Sequence, residues 1–240
     1  MARQDSAERI DPANTARVAL PPAPARVVPP RAASVAAEYI RTLIFEGVLR
    51  EGDRVSYDDI AERLDMSRQP VREAIIELER DGVIVSKPKR GTFVGEFGPR
   101  TVLEHHAVYG LLEGHAARQV ATTRDPKVNA RLRDLWRRTK AATTKQERDA
   151  NAIRFLSVID TEGSDSRLRA LLHQISQFVP KNYYAEHVPD ATGAARLRRV
   201  LIAIEKGDPD ATAAAVMMLW KEAGDLLVEH LYSTGVFQRH

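Results

Sequence analysis

The chain has no cysteine among its 240 residues. Disulfide frameworks, thiolate zinc sites, iron–sulfur clusters and cysteine nucleophiles are therefore excluded. Aromatic residues make up only 6%, and with β-branched residues also sparse an all-β protein of this length is ruled out. No run of about 18 apolar residues occurs, so no membrane span is expected. The opening residues lack the apolar stretch of a signal peptide, and a cytoplasmic location is the expectation. Net charge is only +3, too mild to identify a polyanionic partner from bulk electrostatics. Phosphate-binding glycine loops, nucleophile elbows and H-E-x-x-H helices are missing too. Asp160 and Glu162 read as solvated capping charges, so no enzyme is expected. What remains is a chain that is 43% hydrophobic and 29% charged, a helix-leaning globular composition long enough to bury a substantial core.

Three regions follow from the pattern. Residues 1–33 hold five arginines and three acids, with Pro21-Pro22-Ala23-Pro24 and Pro29-Pro30, and read as a disordered, partly polyproline-like tail. Residues 34–98 hold 10 cations against 13 acids, so any surface for nucleic acid there depends on where a few cations sit. Val35, Tyr39, Leu43 and Ile44 recur at helical spacing up to Gly47. A short helix over Tyr57–Leu64 follows, then a turn at Asp65-Met66 and a third helix. Ser67 is the expected N-cap of that helix, and Pro70 fits its first turn, where the missing N–H has no partner to lose. Asp81-Gly82 ends it. Val83-Ile84-Val85 and Thr92-Phe93-Val94 read as two strands around a basic loop. Residues 99–240 carry only helical signals. Asp125-Pro126 and Asp208-Pro209 are helix starts, and Thr144 with Glu147 fits a capping box, giving about six helices.

Arg68 and Arg72 are four apart and share one face of the third helix, while Val71, Ile75 and Leu78 lie on the opposite face. Two guanidiniums at a helix N-terminus suit the major groove, where arginine bonds guanine bidentately or clamps phosphate. Ser67 and the free N–H groups of the first turn can add phosphate contacts, and Gln69 can read an adenine edge. Lys87, Lys89 and Arg90 cluster on the hairpin, and Gly91 lets that loop approach a minor groove closely. Each feature singly is a solvated cationic face; in this order they outline a winged helix-turn-helix.

These residues resemble the GntR family of bacterial transcription regulators. Asp59-Ile60-Ala61-Glu62-Arg63-Leu64, Ser67-Arg68-Gln69-Pro70-Val71-Arg72-Glu73-Ala74-Ile75 and Pro88-Lys89-Arg90-Gly91-Thr92-Phe93-Val94 carry the resemblance. It implies that Arg68, Arg72, Arg90 and Gly91 contact operator DNA. Tyr57 departs from the glutamate usual before the second helix. The remainder resembles the FCD class of effector domain, through Leu112-Glu113, Ala116-Ala117, Phe155 and Ala203-Ile204-Glu205-Lys206-Gly207-Asp208. The implied fold is mainly α: a winged helix-turn-helix over 34–98, then an all-α effector and dimerisation bundle over 99–240.

Many FCD domains hold a divalent metal on one aspartate and three histidines, which helps bind a carboxylate effector. Carried over by position, those ligands become Ala152, Leu156, Leu197 and Leu219, and a common arginine becomes Tyr109. None of the four replacements can coordinate a metal, so no metal or cofactor is expected. Either the pocket binds a more apolar effector, with Tyr109, Arg154 and Asp165 as polar anchors, or the cavity is filled and nothing is sensed. His105 and His106, being adjacent, point about 100° apart and do not chelate one ion from a single helix face. A surface or partly buried place is expected for them.

The expected function is a sequence-specific DNA-binding transcriptional regulator, a repressor acting as a homodimer on a near-palindromic operator, because one short helix reads too few base pairs alone. A small, apolar effector would modulate it. The alternative is a constitutive DNA-binding protein whose helical domain only dimerises.

Overall fold

The computed structural model describes residues 30–181, 183–188 and 193–238. The proline-rich stretch over 1–29, expected to be a disordered tail, lies outside them. The first helix, α1, spans Pro30–Phe45, so it begins four residues before the change of pattern at Ser34. Next come α2 (Tyr57–Arg63) and α3 (Arg68–Arg80), then β1 (Ile84–Lys87) and β2 (Gly91–Val94). The strands pair antiparallel from Ile84↔Val94 to Lys87↔Gly91. Ile40 and Ile44 of α1, Ile60 of α2, Val71, Ile75 and Leu78 of α3, and Ile84 and Val94 of the hairpin form one core. The spacing of the α3 trio aims one helix face inward, and burying each such side chain contributes about 1.5–3 kcal/mol.

The turn between α2 and α3 closes on Met66, whose N–H reaches the Ala61 carbonyl at 3.0 Å, with Asp65 at φ 48°. Ser67 stands at the N-cap of α3, yet its side chain makes no cap bond. At Tyr57, where a glutamate is usual, the phenol instead lies 3.2 Å from the Thr92 hydroxyl and ties α2 to the hairpin. The segment before α2 adds a bridge from Arg54 to Phe93, so helices and wing form one body.

Seven helices follow among the described residues: α4 (Pro99–Thr123), α5 (Pro126–Ala141), α6 (Lys145–Glu162), α7 (Ser166–Ser176), α8 (Tyr183–His187), α9 (Ala194–Lys206) and α10 (Pro209–Ser233). The sequence signals at their starts act as expected. Asp125 accepts from the Lys127 N–H, Thr144 from Glu147 and Asp208 from Ala211. Helix α8, five residues long, is the one that periodicity alone does not reveal, because one turn carries no repeat. The long helices α4 and α10 lie against each other. Gly110 permits this, since a Cβ there would sit 3.3 Å from the Met217 Cα. Phe155, Leu132, Ile159, Leu197, Ile204 and Leu219 fill the bundle core. A third cluster joins the two halves through Phe45 of α1, Val102 of α4, Tyr183 of α8 and Leu227, Leu231 and Phe237 of the C-terminal region. Among the described residues, no helix is long and apolar enough to cross a membrane.

Candidate nucleic-acid interface and a chamber in the helical bundle

Helix α3 divides its residues cleanly. Pro70, Val71, Ala74, Ile75 and Leu78 are buried, whereas Ser67, Arg68, Gln69 and Arg72 are exposed. Because the Ser67 hydroxyl makes no cap bond, the first-turn N–H groups and the hydroxyl are available to an anion, where the helix dipole favours one. Arg68 pairs with Asp58 of α2. Both side chains are well exposed, so the pair is weakly held and easily exchanged for phosphate or a base edge. Gln69 donates to the Glu73 carboxylate at 2.9 Å, and among the described residues Arg72 makes no ion pair. Buried Arg41 of α1 holds the far end of α3 by bonding Asp81 at 3.1 Å. Asp81 also accepts from Gln174 of α7 at 3.2 Å, linking this unit to the bundle.

The hairpin presents the second part of the surface. Lys87, Pro88, Lys89 and Arg90 are all exposed. The Lys87 ammonium lies 4.9 Å from the Phe93 ring centre, leaving Lys89 and Arg90 at the tip. Gly91 has φ 110°, a backbone conformation closed to most side chains, and a Cβ there would meet the Arg54 guanidinium at 3.2 Å. The Ser86 N–H donates to Glu79 of α3 at 3.3 Å, fixing the wing to the exposed helix. This surface can grip phosphates and offer two guanidiniums and an amide to base edges.

The helical half carries a chamber of about 420 Å³ that is partly open to solvent. Tyr109 and Leu156 are in its wall. The other expected pocket residues are elsewhere: Ala152, Leu197 and Leu219 are fully buried in the bundle core. Methyl and isobutyl groups at those positions pack against their neighbours, and the open space lies beside α4, α6, α8, α10 and the chain before α8. The expected polar anchors also differ. Asp165 caps α7 by accepting from Leu168 at 2.8 Å, and Arg154 is exposed. The wall also carries His105, His106, Asp149, Ser176, Gln177, Lys181, Tyr183 and Tyr184 as polar groups.

His105 and His106, expected at the surface or partly buried, line this chamber; His105 is partly buried, whereas His106 is fully buried. Their rings stand at 82° to each other. The His106 Nδ1–H donates to the Val102 carbonyl at 2.7 Å, and its Nε2 accepts from the Tyr184 hydroxyl. Burial pushes its pKa down and keeps the ring neutral. His105 stacks on Phe178 with centroids 4.3 Å apart; burial, then the neighbouring His106, brings it down to about 3. Among the described residues no group of three or more histidines and carboxylates is placed to hold a metal.

Behind the chamber, Tyr109 meets Trp220 edge-on at 4.5 Å, and the Trp220 Nε1–H donates to fully buried Glu113. Burial, then Asp160, pushes the Glu113 carboxyl well above the usual range, while burial raises Asp160 to about 6. With both ionised, Glu113 Oε1 and Asp160 Oδ1 would be buried without a donor; one shared proton removes that cost. Sequence reading marked Glu113 as a family landmark and Asp160 as a solvated cap, and missed the pair. Neither residue lines the chamber.

The chamber wall also reaches the N-terminal unit. Of the segment running from Ser176 through α8, Ser176, Gln177, Val179, Pro180, Lys181, Tyr183, Tyr184 and Ala185 line the chamber. The same segment holds α1: the Lys181 N–H donates to Glu38, and the Tyr183 hydroxyl donates to the Phe45 carbonyl at 3.1 Å.

A family model described as bacterial regulatory proteins, gntR family, matches residues 32–94. An uncharacterized HTH-type transcriptional regulator of Agrobacterium vitis is 35% identical over 117 residues, 48% of this chain and 68% of that one. A second such regulator, from Mycobacterium tuberculosis, is 30% identical over 146 residues, which is 61% of this chain and spans 60% of the relative's length. The crystal structure of a GntR-family transcriptional regulator from Pseudomonas syringae pv. tomato superposes with a TM-score of 0.53 at 20% identity, covering 87% of this chain and 90% of that one, and shows the shared fold. The matched motif, the winged helix-turn-helix built around α3 and the Agrobacterium relative place this chain in the GntR family of DNA-binding transcriptional regulators.

Proposed function

We propose that the chain is a repressor with an FCD-type helical domain, binding a near-palindromic operator as a homodimer and answering a small apolar effector. Residues 34–98 act as the reading unit and 99–240 as the sensing and dimerising unit. Ser67, Arg68, Gln69 and Arg72 enter the major groove, and Lys89, Arg90 and Gly91 of the wing meet the backbone and adjacent minor groove. Dimerisation uses the outer face of α4 and α10, where Val108, Leu111, Met217 and Met218 are exposed; two copies covering that face remove apolar surface from water and set two half-sites apart. The effector occupies the 420 Å³ chamber, whose neutral histidines, tyrosines and tryptophan suit a ligand with a large apolar or aromatic body.

The observation that carries this reading is the dual role of residues 176–181 and 183–185. They are both chamber wall and clamp on α1, so a ligand that favours one position of this segment biases the placement of the reading unit. Such coupling needs differential affinity for two arrangements, and nothing more. The constitutive reading is supported by a different observation: Ala152, Leu197 and Leu219 are packed shut in the core. Native mass spectrometry of protein from its own cells, paired with operator titrations before and after ligand removal, tests the sensor reading. A co-purifying apolar compound whose removal changes operator affinity supports it. An empty dimer whose operator affinity no apolar or aromatic compound alters supports the constitutive reading.

A further inference from the structure

Ile76 is 57% exposed although its neighbour Ile75 is 1% exposed. The core on this side of α3 is complete without it, since Val71, Ile75 and Leu78 are buried. At about 100° and 1.5 Å per residue, Ile76 sits about 40° around the helix from Arg72 and roughly 6 Å further along the axis, and about 20° around from Gln69. A branched aliphatic side chain thus stands in the middle of a face that is otherwise charged or amide. Glu73, which accepts from Gln69 at 2.9 Å, and Glu79, which accepts from the wing N–H of Ser86, stand about 60° to either side of Ile76, and exposed Arg80 lies about 40° away, one turn beyond.

Major-groove base edges present donors and acceptors everywhere except at one apolar group, the thymine C5-methyl. We propose that Ile76 is a specificity-determining residue that packs on a thymine methyl, one to two base pairs beyond the base met by Arg72. The offset follows from roughly 6 Å of helix rise against about 3.4 Å per base-pair step. The proposal rests on α3 being the reading helix.

The test starts from an operator selected out of random duplex DNA with the full chain. Thymine at the expected offset is then replaced by deoxyuridine, which removes only the methyl, and wild type is compared with Ile76→Ala on both duplexes. Wild type is expected to lose about 3- to 10-fold in affinity on the uracil duplex. Ile76→Ala should lose a similar factor on the thymine duplex and nothing more on the uracil duplex. The absence of a selected thymine at that offset overturns the proposal. So does a uracil effect that is missing in wild type, or equal in both proteins, which would show that Ile76 does not touch that methyl. Failure of α3 as reader has its own signature: Arg68→Ala and Arg72→Ala would bind the selected duplex as wild type does.

Discussion

The phenolic hydroxyl of Tyr183 donates to the main-chain carbonyl of Phe45 across 3.1 Å, and the two rings meet edge-on at 5.1 Å. Tyr183 also lines the bundle chamber, and Phe45 ends α1, so one side chain touches both the chamber and the N-terminal unit. Tyr183→Phe keeps the ring and removes the bond. It should cost about 0.5–1.5 kcal/mol in unfolding free energy and speed amide exchange in the last turn of α1. Unchanged exchange there would mean that the clamp contributes nothing to the placement of α1.

Arg72 is exposed on the same face as Arg68 and, among the described residues, makes no ion pair. Arg72→Ala should weaken operator binding by about 1–3 kcal/mol while affecting random DNA less. Equal losses on both would make it a phosphate contact, and the slope of affinity against salt would then fall by about one unit.

Arg68 is paired with Asp58, and under the proposed reading of the major groove DNA would displace that carboxylate. Asp58→Asn frees the guanidinium and removes a negative charge beside the expected phosphate path. Operator affinity should rise by about two- to fivefold at low salt, with the gain shrinking as salt increases. Fluorescence anisotropy at two salt concentrations checks this, and weaker binding by the variant would place Asp58 in a supporting role.

The Glu113–Asp160 pair predicts a pH dependence of known sign. Burial, then Asp160, keeps the Glu113 carboxyl protonated well above the ordinary range, and burial raises Asp160 to about 6. The folded chain therefore holds protons that the unfolded chain has released. The stability from these groups is fully present below the ordinary carboxyl range and is lost as pH rises through the folded values. Glu113→Gln keeps an acceptor for Trp220 and a donor for Asp160 and has no proton to lose. Between pH 5 and pH 8 the variant should gain at least about 1 kcal/mol relative to wild type in urea unfolding. A constant difference across that range would show that the pair does not share a proton.

The reading unit was legible because its signals are local. Ser67 before α3, the inward trio Val71, Ile75 and Leu78, and the glycine at 91 are each fixed by helix period or by backbone conformation. The helix starts at Asp125, Thr144 and Asp208 were equally open to a sequence reading. The chamber was not, because its wall combines His105 and Tyr109 of α4, Leu156 of α6, Tyr183 of α8 and Trp220 of α10. Periodicity says which face of a helix turns inward but not which neighbour it meets. That is why Leu156 and Tyr109 reach the open space while Ala152, Leu197 and Leu219 disappear into the core. The same limit hid the Asp58–Arg68 pair and the meeting of Glu113 with Asp160. Ile76 went unremarked for the opposite reason: next to Ile75 it looks like core, and only its exposure separates the two.

The central claim is that two copies of the chain read one operator through α3 and the wing. Native mass spectrometry of the complex, formed on the duplex enriched by selection from random DNA, measures this directly. The account predicts two chains per duplex, an enriched site with two-fold symmetry, and loss of that complex with Arg72→Ala. A stable complex of one chain per duplex, or a selection that enriches no common sequence, would contradict it.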